Sequence, residues 1–382
     1  MDASEVLSFR FGPLMLRPRL ELSERYDNNI FYQRINPIGD FRTDLMPGLN
    51  LSLGQAERVN LTLSYQLDQA RYTDRTDLDS LGHSLNAQIQ FLGARLSVLG
   101  TDRWQVLENQ VLGQELSFQN LHNRIGYSTQ SDNYRVAYRI SEKFSVYVQG
   151  THDAYDYSRG SYVLDYDNLS GTLGFQKAVR SKTILFGEMY YGQTATAPNI
   201  VGVPQSPHSD FVGGYAGVEG SFTEKVVGQV KAGFESRSFS GGGQGADGPV
   251  VGSSVSYRIS EKRSLTLIYN RRSNVSVQNG NVSYVTSAFN LQGQQQLGTE
   301  GKWVVRGSGG YGLYEFQGNS VANRTDTVYS FTANLDYNIQ LWLKVGLGYE
   351  FNKYDSRTKG GTASGVSSYE GQRFSVRLSV GY

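Results

Sequence analysis

The sequence predicts an all-β protein: a single transmembrane antiparallel up-and-down β-barrel of about 18 strands, with 16 to 20 open. Three observations carry that expectation. Long segments alternate apolar and polar residues with a period of two, the mark of a strand with one greasy face. Short polar turns recur about every 40 residues. No run approaches the ~18 consecutive apolar residues of a membrane-spanning helix.

Composition agrees. Hydrophobic residues make up 38% of the 382-residue chain, below the roughly 45–50% usual for globular domains. Gly (44) and Tyr (26) are heavily used instead, and mean hydropathy is -0.42. Half of each strand of a water-filled barrel faces water, so such a chain is polar on average. There is no cysteine, hence no disulfide framework, and a net charge of +1 argues against a nucleic-acid surface. The start MDASEVLSFRFG lacks a basic stretch followed by an apolar one and reads as a start from which an export signal has been removed.

Taken in order, the turns are LGQAER (53–58), FLGAR (91–95), ISEKF (140–144), VRSKT (179–183), FTEKV (222–226), ISEKR (259–263), LGTEGKW (297–303) and NIQLW (338–342). Each joins two alternating segments. Strands are expected near 14–27, 40–53, 58–73, 79–92, 94–106, 124–140, 143–155, 162–178, 182–194, 209–223, 226–240, 248–260, 262–275, 282–297, 302–316, 325–339, 341–356 and 368–382. The other connections are longer and irregular, which puts the turns in the periplasm and the loops outside. Residues 1–13 read as a periplasmic N-terminal segment and 14–382 as the barrel. The stretch from Arg103 to Ser131 patterns poorly, and its 107–123 portion is a candidate plug folded into the lumen.

The chain ends FSVRLSVGY, in which Phe374, Val376, Leu378, Val380 and Tyr382 alternate with Ser375, Arg377, Ser379 and Gly381. A barrel abolishes its edges only if the last strand pairs with the first, so this segment is expected to close it. Its terminal aromatic resembles the C-terminal signal read by bacterial outer-membrane assembly machinery.

The segment LELSERYDNNIFY carries Tyr26, Asp27, Asn28, Asn29, Ile30 and Phe31 after a strand. That run resembles the opening of the putative β-barrel porin 2 group of outer-membrane proteins. The resemblance implies a barrel associated with exopolysaccharide secretion and carries over no catalytic residue.

Candidate lumen residues bear both signs: Arg58, Asp68, Arg135, Arg139, Glu188, Lys231, Glu235, Arg272, Arg306, Asp336, Lys344, Glu350 and Arg377. Mixed charge among Ser, Thr, Asn and Gln favours hydrogen-bonding, uncharged solutes. Tyr190, Tyr191, Tyr215, Tyr257, Tyr269, Trp303, Tyr311, Tyr337, Trp342 and Tyr349 recur near strand ends, as interfacial girdles do, with some free to face inward as sugar platforms.

Other candidates reduce to ordinary structure. Asp27, Asn28, Asn29 and Asp40 have oxygen ligands for Ca²⁺, but Asp and Asn also supply turn geometry after a strand. His83, His122, His152 and His208 lack ligand spacing, and His152 beside Asp153 has no nucleophile with it. The glycine-rich SGGGQGADG lacks the lysine of a phosphate loop.

The expectation is therefore a non-enzymatic channel in the bacterial outer membrane, with no metal or cofactor, passing hydrophilic solutes. Exopolysaccharide export is its most specific form. The alternatives are a general diffusion porin and a plugged barrel that anchors a partner. Expected partners are outer-membrane lipid and lipopolysaccharide, the assembly machinery, polysaccharide and periplasmic export components, and no nucleic acid.

Overall fold

The computed structural model describes residues 7–55, 58–110, 125–158, 164–198, 208–240, 245–276, 283–298, 300–317, 324–358 and 368–381. The chain forms β1 (Phe9–Phe11), β2 (Leu14–Asp27), β3 (Asp40–Gln55), β4 (Val59–Tyr72), β5 (Ser80–Leu92), β6 (Leu96–Gln110), β7 (Ile125–Ser141), β8 (Phe144–Tyr157), β9 (Leu164–Arg180) and β10 (Thr183–Pro198). It continues as β11 (Ser209–Ser221), β12 (Val226–Phe239), β13 (Gly248–Ser260), β14 (Arg263–Val275), β15 (Ser283–Leu297), β16 (Trp303–Gln317), β17 (Arg324–Gln340), β18 (Leu343–Thr358) and β19 (Tyr369–Val380). One short 3₁₀ turn, Thr76–Leu78, precedes β5.

Each strand from β2 onward pairs antiparallel with its chain neighbours, and β19 pairs with β2 from Arg373 opposite Asp27 to Val380 opposite Leu20. The result is a closed 18-strand barrel. The closing role read into FSVRLSVGY holds for Phe374, Val376, Leu378 and Val380, whereas Tyr382 lies outside the described residues. Strand β1 is the addition: β19 stops opposite Leu20, and β1 takes up pairing with Leu14 to Leu16, whose other edge is already bonded to β3. Residues 9–11 of the segment read as preceding the barrel thus lie on its wall. The 103–131 region resolves into the end of β6 and the start of β7, and the part of the plug candidate from 111 to 123 lies outside the described residues.

All eight short turns occupy one end, and they share one hydrogen bond. The residue before the second strand of each hairpin offers its carbonyl to the end of the strand that follows that second strand: Arg58 to Leu92, Arg95 to Arg139, Lys143 to Ala178, Lys182 to Ser221, Lys225 to Arg258, Lys262 to Gln296, Lys302 to Asn338 and Trp342 to Gly381, at 2.7–2.9 Å. This continues the ladder past each hairpin tip and satisfies one turn carbonyl in every hairpin. In four hairpins the register shifts by one residue beside a two-residue turn, a bulge that adds local twist.

Burial is inside-out relative to a soluble protein. On one face of the wall a single rung runs Phe91, Val98, Val136, Val148, Leu173, Met189, and Leu173 and Met189 are 62% and 71% exposed. On the opposite face another runs Val304, Asp336, Gly346, Arg377, Ser23, Asp44, Ala70, Ser80, where Asp336 and Asp44 are 2% and 3% exposed. Leaving such a row of leucine and valine in water would be unfavourable by about 25 cal/mol per Å²; in lipid it is at no cost. The apolar face is the outer one, and the polar face lines the lumen.

Candidate functional site

The candidate site is the lumen wall. Register places Asp68, Arg135, Arg139, Glu188, Lys231, Glu235, Arg272, Arg306, Asp336, Lys344, Glu350 and Arg377 on the inner face, and Arg58 in a short turn at the rim. The thirteen are not one cluster. Arg306 and Arg377 converge on the two oxygens of Asp336, the latter at 3.4 Å, and Arg377 also donates to Asn334 Oδ1 at 3.0 Å. Gly346 makes this possible, because a Cβ there would lie 2.4 Å from Asp336 Oδ1.

A second group spans β7 to β12 and repeats one construction. Tyr147 lies across Gly174 and donates to Glu188 Oε1 at 2.6 Å. Tyr190 lies across Gly213 and donates to Glu235 Oε2 at 3.0 Å. Added Cβ atoms at those glycines would sit 2.2 Å from the Tyr147 ring and 2.4 Å from the Tyr190 hydroxyl. Each ring therefore lies flat on the wall and not across the lumen. Phe186 over Gly217 and Phe211 over Gly192 do the same, at 2.5 and 2.3 Å. Cations cover the inner sides: the Arg135 guanidinium is 3.6 Å from the Tyr147 centroid and Lys231 Nζ 4.2 Å from that of Tyr215.

Of the aromatics read as girdle, Tyr190 and Tyr215 belong to the lumen, stacked at 5.4 Å. Tyr191, Tyr257, Tyr269, Trp303, Tyr311, Tyr337 and Tyr349 share the outer face with the exposed leucines and valines. Trp342 sits in a short turn. Tyr190 and Tyr191 are consecutive, so a strand had to send them to opposite faces.

At the long-loop end the inner wall carries three small apolar clusters. Phe316, Val328, Tyr354 and Tyr369 pack with Tyr32, Tyr284 and Tyr314; Ile30, Tyr72 and Leu78 with Phe31; Phe239, Ala246 and Val275 with Tyr166. Ile30, Phe31 and Tyr32 come from the loop after β2, which therefore folds inward over the mouth.

The Tyr-Asp-Asn-Asn run anchors that loop. Asn29, 1% exposed, donates through Nδ2 to the carbonyls of Gln33 and Glu370 and accepts from Gln33 N, all at 2.8 Å. Asn28 Oδ1 accepts from Gln372 N at 2.8 Å, and Asp27 takes Arg373 Nε at 2.8 Å and Asn29 N at 2.9 Å. Asp40 accepts from the backbone of Phe41, Asp74 and Arg75. The oxygens considered for Ca²⁺ are engaged in holding loops, and no cluster of metal-binding side chains occurs among the described residues. His152 sits on the outer face between Asp132 and Asp167, at 3.2 and 3.1 Å, away from the lumen.

The sequence pattern of a family described as Putative beta-barrel porin 2 matches residues 4–380, nearly the whole chain. The chain belongs to that family. As a putative β-barrel porin 2 protein it is an outer-membrane β-barrel of the porin type. Solved structures are similar to the chain at low identity. OpdL of Pseudomonas aeruginosa is 13% identical with a TM-score of 0.47, covering 96% of this chain and 98% of its own. OpdO of the same species is 12% identical at 0.49, covering 96% and 97%. The FrpB iron transporter of Neisseria meningitidis is 9% identical at 0.49, covering 99% and 83%. No curated protein matches the chain.

Proposed function

We propose that this porin passes an exopolysaccharide outward, from the short-turn end to the long-loop end. The observation that carries the reading is the inner wall between them. It presents hydroxyls, amides and charged groups up to the apolar clusters at the long-loop mouth, while four of its large rings lie flush over glycines. A polymer of hydroxylated rings exchanges water for such groups at little net cost, so it slides without being trapped. The family's association with exopolysaccharide secretion supports the same reading. The periplasmic export machinery would then engage the short turns, and lipid and lipopolysaccharide the outer face. The porin family supports a non-enzymatic channel.

The inward-folded loop at the mouth favours a second reading, a barrel that anchors a partner and is shut until that partner acts. Proteoliposome swelling separates the two. Liposomes carrying the protein are expected to swell in linear oligosaccharides at rates that fall only slowly with chain length. Absence of swelling with any sugar contradicts export through an open lumen.

A further inference from the structure

The charges of the lumen are not paired evenly along its length. Toward the long loops most inward cations are matched to carboxylates: Arg25 and Arg42 to Asp44 at 3.5 and 2.5 Å, Arg237 to Glu235 at 3.3 Å, Arg324 to Asp326 at 2.9 Å, and Arg373 to Asp27 and Glu350. Toward the short turns Arg306 and Arg377 share Asp336, but several cations have no such partner. Arg17, Arg19, Arg139 and Arg258 face inward, Lys225 and Arg263 stand at the rim, and none forms an ion pair with any described residue. Arg17 Nε is buried and lacks any hydrogen-bond partner among the described residues. The unpaired series continues up the wall through Arg103, Arg135 and Arg272.

The turn repeat adds to this end. Seven of the eight carbonyl-offering turn residues are Arg or Lys, one for each hairpin from Arg58 to Lys302, of which Lys302 pairs with Glu300 at 2.7 Å. On the wall between β12 and β15, Lys225, Arg258, Lys262 and Arg263 line a groove of about 320 Å³ with Ser256 and Thr266. Glu261 is the one acid on it. Guanidinium groups over hydroxyls are suited to a sugar that carries a carboxylate, which a planar guanidinium binds through two hydrogen bonds.

We propose that the polymer is acidic. On the export reading, on which this rests, a carboxylated polysaccharide is captured at a basic short-turn mouth and released at a long-loop mouth whose cations, Arg272 apart, are already neutralised. An electropositive entrance with low-dielectric walls raises the on-rate of an anion by ten- to a thousandfold at low salt. A neutralised exit gives the chain no second site at which to stall. This departs from the expectation of an uncharged solute, because sequence displays both signs and only the fold displays which of them cancel.

The test is block of the open channel in planar bilayers by oligogalacturonate and by a maltooligosaccharide of the same length, each added to either side. The expected result is an on-rate for oligogalacturonate from the short-turn side at least about tenfold above that of the neutral chain. The excess should shrink as salt rises, a readout that needs no variant. Arg17→Gln, Lys225→Gln and Arg258→Gln together should remove most of it and leave block by the neutral chain unchanged. Equal on-rates for the two sugars, or an excess indifferent to salt, overturn the acidic-polymer inference while leaving sugar export standing. An open channel that neither sugar blocks overturns export itself and this inference with it.

Discussion

Arg373 Nε donates to Asp27 Oδ2 at 2.8 Å, joining the first and last barrel strands through residues 346 apart in the chain. The same guanidinium donates to Glu350 at 3.3 Å and to the hydroxyl of Tyr32. One side chain thereby ties together β2, β18, β19 and the loop folded over the mouth. The Arg373 side chain is 22% exposed and that of Asp27 13%, so the pair is only partly screened by water.

Removing the guanidinium leaves Asp27 with one backbone donor in a half-buried site. Arg373→Ala is expected to destabilise the closed barrel by about 1–3 kcal/mol. The temperature at which the compact electrophoretic form converts to the unfolded one in detergent should fall accordingly. An unchanged conversion temperature would show that the seam does not depend on this contact.

Asn29 makes three hydrogen bonds, donating two through Nδ2 and accepting one at Oδ1. Asn29→Ala is expected to cost about 1–3 kcal/mol locally and to release the loop after β2. Proteolysis of the folded barrel between residues 30 and 38 should become faster, with the rest of the chain still protected. Equal cleavage rates in the two proteins would argue that the loop is held by its apolar contacts alone.

Leu173 and Thr172 are neighbours in β9 and face opposite ways. Leu173→Arg puts a cation on the lipid face and is expected to cost about 2–4 kcal/mol near mid-membrane. Thr172→Arg puts the same charge on the inner wall, where the barrel should still fold and shift toward anion selectivity. Folding yield into detergent micelles reads the first effect and reversal potential in a salt gradient the second. Two equally tolerated substitutions would contradict the assignment of faces.

Gly174 lets Tyr147 lie on the wall. Gly174→Val is expected to lift that ring into the lumen and lower single-channel conductance, and Tyr147→Ala in the same chain should restore it. A conductance indifferent to Gly174→Val would mean that the ring does not border the conducting path.

Strand number, turn positions and the closing strand were legible because each rests on a local rule: period-two alternation, a polar turn, and an edge that must be covered. What was not legible depends on register. Arg306 and Arg377 share Asp336 only because β16 to β19 bring residues separated by up to about 70 positions onto neighbouring rungs. Likewise Tyr190 and Tyr191 look alike in sequence, and the pairing with β11 decides which one enters the lumen. Strand β1 was missed because three residues are too few to show a period. The motif Tyr26 to Phe31 was visible as a signature, but its work in holding the seam and the loop appears only when residues 370–373 are placed beside it.

Single-channel recording in a planar bilayer tests the central claim, that the closed barrel encloses a water-filled path for sugar chains. The account predicts large, stable open currents that a neutral oligosaccharide added to one side interrupts in discrete events. A barrel that is folded by its electrophoretic form yet electrically silent would contradict it.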